Sequence, residues 1–286
     1  MAIFLRLGVA VIIAAVAFPC WASVPPNPKD LVTAELVAQT ASVAPGTNLW
    51  VDLHLRIKPG WHVYWRNPGD SGLPTTIDWH LPTGFSAGAI LWPVPEHFVE
   101  KGIGNYGYTG SADLLVPLAV AKQIVPGRSA ALAAEASWLA CADICIPGSA
   151  KLSLTMPVTA SPATPNPATA ALFATVHGEL PLPAPFEPRF VAGSDEYRLL
   201  VPASALAGER NPTVAFFPYD GSLIDHAAVA RVRQRTDGLE IMLTKAATTA
   251  RTAPTTLDGV LVLRGQDGRT RAFEIAAKEG HGTANR

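Results

Sequence analysis

The chain has 286 residues, with 22 Lys and Arg against 23 Asp and Glu, a formal net charge of −1. That balance excludes a chain steered by its overall field toward nucleic acid or an anionic membrane surface. Apolar residues make up 49%, and about 260 residues remain once the N-terminal segment is set aside, enough for two ordinary domains with their own cores.

Residues 1–22 read as a targeting segment. Arg6 supplies the positive start, residues 7–18 the apolar stretch, and Cys20-Trp21-Ala22 ends on a small residue. The stretch is shorter than the roughly 20 residues that a membrane span needs. Pro19 precedes Cys20 where a lipoprotein signal carries a small residue, so cleavage is expected before Ser23. No later segment reads as a membrane span, and the mature chain is expected to be exported.

From residue 31 to 158 the dominant period is two. Val32, Ala34, Leu36 and Ala38 alternate with Thr33, Glu35, Val37 and Gln39. Leu49, Val51, Leu53, Leu55 and Ile57 face one way and Trp50, Asp52, His54 and Arg56 the other, between turns at Pro45-Gly46 and Pro59-Gly60. Such alternation marks a sheet with one buried face. Further strands are expected at 61–65, 76–81, 114–120, 132–140 and 152–158. Short strands with frequent turns predict an immunoglobulin-like sandwich over residues 27–158.

Near its end lies Trp138-Leu139-Ala140-Cys141-Ala142-Asp143-Ile144-Cys145-Ile146-Pro147-Gly148, with the only cysteines that a chain starting at Ser23 keeps. Four residues of extended chain span about 13 Å, whereas a disulfide needs Cα atoms within about 7 Å. A bond therefore requires the backbone to fold back, and Pro147-Gly148 marks further turning. So small a ring is a weak staple, about 2 kcal/mol in the chain-entropy model. A local bridge pinning a turn, reversible thiol–disulfide exchange and a soft-metal site all fit the spacing. Leu132, Ala134, Ala136 and Trp138 share one face, and Cys141 falls on the other beside Glu135, Ser137 and Leu139. With Trp138 inward, Cys141 is expected on the less buried side, which favours reactivity.

Residues 159–185 read as a linker, with Pro162, Pro165, Pro167, Pro181, Pro183 and Pro185. Within it Asn166 is expected to cap a short helix with Pro167 at its first position, ending near His177 with Gly178 as the stop. Leu172 and Val176 give that helix an apolar stripe. Residues 186–278 return to strands: Tyr197, Leu199 and Val201 alternate, as do Leu239, Ile241 and Leu243, with hairpin turns at Asp237-Gly238 and Asp267-Gly268. Arg231, Arg233 and Arg235 line one strand face, as edge protection, a solvated face or a partner patch, and 279–286 read as a tail. The expected fold is all-β, two immunoglobulin-like β-sandwich domains joined by a Pro-rich linker with a short helix.

The segment Trp61-His62-Val63-Tyr64-Trp65-Arg66-Asn67-Pro68-Gly69-Asp70-Ser71-Gly72-Leu73-Pro74, followed by the cysteine run, resembles the N-terminal periplasmic region of DsbD-type thiol:disulfide interchange proteins. The nearest likeness is to the ScsB branch, named for suppression of copper sensitivity. It covers residues 31–158 well and the remainder more loosely. The resemblance implies a periplasmic redox relay. A membrane domain carries electrons outward from thioredoxin, a thioredoxin-like domain receives them, and the N-terminal domain passes them to exported disulfide-containing proteins. It implies Cys141 and Cys145 as the catalytic pair of a protein-disulfide reductase-type oxidoreductase without a cofactor, the second cysteine meeting the donor. It also implies an aromatic cap, for which Phe98 is the candidate and Tyr106 and Tyr108 its rivals. No CxxC and no membrane helix follow residue 158, so the thioredoxin-like or membrane electron-transfer partner is expected to be a separate protein.

Other readings stand beside it. Asn67-Pro68-Gly69-Asp70 reads as a turn, the tryptophans as core, and Arg66 as a partner of Asp70. Cys141 and Cys145 could instead bind Cu(I), a soft ion suited to thiolates, with His62 or His97 as a third ligand. Met156 and Met242 make no methionine-rich copper tract. A third reading is a structural interaction module. The targeting segment sets the first measurement: the exported protein should have the intact mass of a chain starting at Ser23, and a lipid adduct on Cys20 would overturn that expectation.

Overall fold

The computed structural model describes residues 27–247 and 254–280; the expected targeting segment with its cleavage site, and residues 281–286 of the expected tail, lie outside the described residues. The first half is built from ten strands. They are β1 (Val32–Ala38), β2 (Asn48–Ile57), β3 (His62–Gly69), β4 (Thr76–His80), β5 (Phe85–Ala87), β6 (Glu96–Glu100), β7 (Ile103–Thr109), β8 (Ser111–Val120), β9 (Ser129–Cys141) and β10 (Cys145–Pro157). One sheet has the order β1-β2-β8-β5; the other runs β10-β9-β3-β7-β6, with β4 also on β9. Their inner faces close on a core in which Leu53 and Leu55 of β2 meet Val63 and Trp65 of β3 and Trp138 of β9. The alternation of β2 is thus realised: Leu49, Val51, Leu53, Leu55 and Ile57 are all buried.

The hairpin β6–β7 has no counterpart among the expected strands. Its turn is Lys101-Gly102, with φ of 53° and 81°. Two left-handed residues make the tight loop that matches strand twist, usually Asn-Gly or Asp-Gly, and a lysine in the first place hides the signal. Gly104 and Gly107 within β7 further dilute its strand character.

Helix α1 (Ala170–Glu179) starts three residues later than expected. Asn166 forms its own turn instead of capping: its Oδ1 accepts the Ala168 N–H at 3.1 Å and its carbonyl the Thr169 N–H at 3.1 Å. Gly178 lies inside the last turn, and the chain leaves through extended Leu180. Phe173 and Val176, rather than Leu172 and Val176, are the buried pair, packed on Leu115 with Trp50, Val37 and Leu91 around them. The helix therefore covers the outer face of the β1-β2-β8-β5 sheet. That is why Asp52, which alternation assigns to the less buried side, is fully buried. Burial, and then the neighbouring Asp113, push its carboxyl up to about 9.

The second half holds β11 (Leu182–Pro183), β12 (Arg189–Ala192), β13 (Glu196–Pro202), β14 (Thr213–Pro218), β15 (Arg231–Arg235), β16 (Gly238–Thr244), β17 (Thr256–Arg264) and β18 (Thr270–Glu279). They follow the order β14-β17-β18-β12-β13-β16-β15, with β11 added to β18. Phe190, Tyr197, Leu199, Ile241 and Leu261 lie in their core. Phe217 and Val260 belong instead to the core of the first half, so the two halves share a buried seam. The arginines of β15 are exposed and meet Glu196, Asp237 and Glu240. Since Phe173 is the largest side chain sealing α1 to the sheet, Phe173→Ala should cost about 3–5 kcal/mol. A lowered urea midpoint at unchanged slope would report it; an unchanged midpoint would mean that the helix contributes nothing there.

Candidate functional site

Strand β9 ends at Cys141, the chain reverses through Ala142-Asp143-Ile144, and β10 begins at Cys145. The two cysteines are directly opposite in the ladder and disulfide-bonded, with Cα atoms 4.1 Å apart. The Ala142 N–H donates to the Ile144 carbonyl at 3.1 Å and closes the turn. The fold-back required by the spacing is therefore a hairpin. Pro147-Gly148 makes no further turn: both lie in β10, opposite Leu139 and Trp138. β10 is an edge strand, where the missing proline N–H is tolerated. A Cβ on Gly148 would sit 2.5 Å from Trp138 Nε1, so only glycine lets the indole lie across this strand.

The expectation that Cys141 is the less buried side is corrected. Cys141 is 1% exposed, whereas Cys145 is exposed. The cause is a neighbour 79 residues away in sequence: the end of β9 is flanked by β10 on one side and by β3 on the other, where His62 pairs with Cys141. Opposed residues of a ladder share a face. Cys141, Cys145 and His62 therefore do, and Tyr64, two residues on, joins them. Phe98 of β6 stacks on His62 with ring centroids 5.1 Å apart and planes 28° off parallel. Tyr64 meets His62 edge-on at 5.1 Å and brings its hydroxyl to 3.7 Å from Cys145 Sγ.

Burial holds the His62 imidazole below its usual value, and its Nε2 has no hydrogen-bond partner among the described residues. Desolvation likewise raises the Tyr64 phenol, which keeps its proton near neutrality. The loop after β3 fixes this ring. The Asp70 N–H donates to the Gly104 carbonyl at 2.9 Å and Asp70 Oδ2 accepts the Gly104 N–H at 2.7 Å. Ser71 donates N–H and Oγ–H to Asn105 Oδ1, both at 3.1 Å. Gly72 then lies flat on Tyr64; a Cβ there would come within 2.3 Å of the ring.

The three candidate cap residues separate. Phe98 lies on the cysteine side, over His62. Tyr106 and Tyr108 alternate to the other face of the sheet and are buried there. Tyr108 donates its hydroxyl to the Pro93 carbonyl at 2.8 Å, and the Tyr106 hydroxyl is hydrogen-bonded to His226 Nδ1 at 3.0 Å. His97, considered as a metal ligand, is hydrogen-bonded to the His226 carbonyl at 2.7 Å. Arg66 does not pair with Asp70; its guanidinium lies 4.0 Å from the ring centre of Tyr219. Asn67 Nδ2 donates to the Pro218 carbonyl at 2.8 Å. Asn67-Pro68-Gly69 makes a local turn at the end of β3: the Gly69 N–H donates to Asn67 Oδ1 at 3.0 Å, Gly69 has a φ of 85°, and the pairing with β7 shifts register between Tyr64 and Gly69. Tyr64 and the burying role of His62 were missed from the sequence, although the period of two in His62-Val63-Tyr64-Trp65 already puts them on one face.

Residues 29–157 match the family model described as thiol:disulfide interchange protein DsbD, N-terminal. Among solved structures, the N-terminal periplasmic domain of ScsB from Proteus mirabilis is similar in fold. Its TM-score is 0.63 at 20% identity, covering 91% of this chain and 98% of that one. The reduced DsbD N-terminal domain of Neisseria meningitidis matches at 14% identity with a TM-score of 0.30, covering 46% of this chain and 90% of that one. No curated protein sequence matches.

The Tyr64 hydroxyl is placed to donate to a Cys145 thiolate, an interaction worth about 1.5–3 kcal/mol when fully buried and less for an exposed sulfur. Tyr64→Phe should therefore raise the Cys145 thiol pKa in the reduced protein by up to about one unit, read from the pH dependence of its alkylation. An unmoved pKa would remove Tyr64 from the site.

Proposed function

Residues 29–157 are a DsbD/ScsB-type N-terminal domain, and from that premise we propose that this protein is a periplasmic thiol:disulfide interchange module. Cys145 is the sulfur that meets its partners. One observation carries the reading: the disulfide is asymmetric, with Cys141 buried between three strands and Cys145 exposed beside a phenol.

Exchange needs access to the attacked sulfur. A partner thiolate attacks Cys145 Sγ, the Sγ–Sγ bond breaks, and Cys141 leaves with the electron pair and takes up the proton that the partner's second thiol gives up. The partner's second thiolate then attacks its own sulfur in the mixed disulfide and frees Cys145. Two thiols of the partner are oxidised and one disulfide here is reduced. Toward an exported substrate the same steps run in reverse. Burial disfavours a Cys141 thiolate, whereas Cys145 gains a donor from Tyr64, so Cys145 is the nucleophile of the reduced pair. Phe98 over His62 is the cap that keeps Cys141 from direct attack.

The surroundings favour a protein partner. Ile144 beside Cys145, Leu73 beyond Gly72, and Ile103 at the β6–β7 tip are large apolar residues left 46–65% exposed. Apolar groups on three segments around a reactive sulfur suit a protein surface, here a thioredoxin-like or membrane electron-transfer protein and disulfide-containing exported substrates. No helix among the described residues is long and apolar enough to cross a membrane.

The unpartnered Nε2 of His62 favours one second reading, in which the reduced cysteines and His62 hold Cu(I). Trapping tests the first. Cys141→Ala should accumulate a mixed disulfide with a thioredoxin-like donor that lacks its resolving cysteine, and Cys145→Ala should not. An adduct on Cys141 alone would reverse the assignment, and no adduct on either, with tight Cu(I) binding by the reduced protein, would favour the copper reading.

A further inference from the structure

A second cluster of ligating side chains lies away from the disulfide, on the helix-covered face of the β1-β2-β8-β5 sheet. Asp52 and His54 are two residues apart on β2, and Asp113 of β8 stands directly opposite His54, so strand alternation sets all three on one face. One ligating atom from each lies within 4.8 Å of the others. Asp52 is 0% exposed, and neither of its carboxylate oxygens has a hydrogen-bond partner. A carboxyl group buried without a hydrogen-bond partner of good geometry calls for an explanation. Its neighbour Asp113 is itself an acceptor, engaged by His54 Nδ1. Arg56, on the same face, spends its guanidinium on His54 Nε2 at 3.2 Å and Glu35 at 2.9 Å.

We propose that Asp52, His54 and Asp113 form a binding site for one divalent transition-metal ion of the Zn²⁺ class, tying β2 to β8 beneath α1. The two carboxyl groups supply the two negative charges that such an ion neutralises, Asp52 giving up its proton to solvent as the ion binds. One imidazole with two carboxylate oxygens, plus a water, completes a four-coordinate set for Zn²⁺; Ca²⁺ and Mg²⁺ take oxygen alone, and Cu(I) prefers sulfur. With bonds of about 2.0–2.1 Å the ligand atoms stand about 3.3 Å apart, so the directly hydrogen-bonded His54 Nδ1 and Asp113 oxygen must open to admit the ion while the Asp52 oxygen closes on it by side-chain rotation. Metal on His54 Nδ1 leaves the ring proton on Nε2, and exposed Arg56 swings from there to Glu35, which it already holds. The side chains of His54 and Asp113 are 15% and 12% exposed, so the ion enters from their rim.

The test is zinc chloride titrated into the chelator-treated full chain with its disulfide intact, followed by native mass spectrometry and calorimetry. One zinc per chain and a raised thermal midpoint are expected. Asp52→Asn keeps the shape and can donate to Asp113, yet it should weaken binding at least about tenfold, the least that loss of even an outer-shell partner produces. His54→Gln, nearer the surface, should do the same and decides the matter if Asp52→Asn does not fold. Cys141→Ser/Cys145→Ser should bind zinc as the parent does. No zinc bound by the folded protein, undiminished binding in His54→Gln, or loss of binding in the cysteine variant would each overturn the site.

Discussion

The end of β9 is held from both sides, by β10 through Cys145 and by β3 through His62, and the chemistry of this protein follows from that double pairing. A hairpin alone would leave both sulfurs at a sheet edge, equally open. Adding β3 places His62 beside Cys141, and His62 brings Phe98 over it. One sulfur is thereby closed off while the other, on the edge strand, stays open. Two chemically identical groups four residues apart acquire different exposure because they sit one strand apart in the sheet.

The same strand carries the site on one face and its support on the other. His62 and Tyr64 look to the disulfide. Between and beyond them, Val63 and Trp65 enter the core, where Trp65 meets Tyr106, Phe217 and Tyr219 at centroid distances of 5.8–6.3 Å. Arg66 over Tyr219 and Asn67 on Pro218 continue the seam. His226, buried in the second half, holds Tyr106 of β7 and, through its carbonyl, His97 of β6. The second half therefore braces β3, β6 and β7 from behind. Those strands set the positions of Tyr64 and Phe98, and this gives a domain without a cysteine a part in the geometry of the disulfide.

How much of this was legible follows from the range of each interaction. The strands with clean alternation, such as β2 with its five inward aliphatics, needed only local periodicity. The need for a fold-back between Cys141 and Cys145 needed only the reach of an extended chain. Burial of Cys141 depended on His62, which no local pattern pairs with it. The β6–β7 hairpin escaped because Lys101-Gly102 supplies by backbone angle what Asn-Gly announces by composition. Asp52 and His54 read as solvent-facing because alternation describes one sheet and says nothing of a helix laid over it from residues 170–179. The motif around Asn67 was visible as unusual, but its division between disulfide and seam required β3 in three dimensions.

The small ring and the long hairpin make opening of such a pair inexpensive to the fold. β9 and β10 remain in register from Ser129–Pro157 to Cys141–Cys145, and Trp138 lies across Gly148 within that ladder. Cleaving the disulfide removes a link between residues that the ladder already holds opposite each other. The entropy lost by the unfolded chain in so short a loop is worth only about 2 kcal/mol, and part of that restriction survives in the paired strands. A bridge between distant strands would be worth more and would have to be rebuilt in every cycle. A disulfide at the closed end of a hairpin stabilises little, and a bridge whose opening leaves the surrounding ladder in place is what the proposed exchange requires.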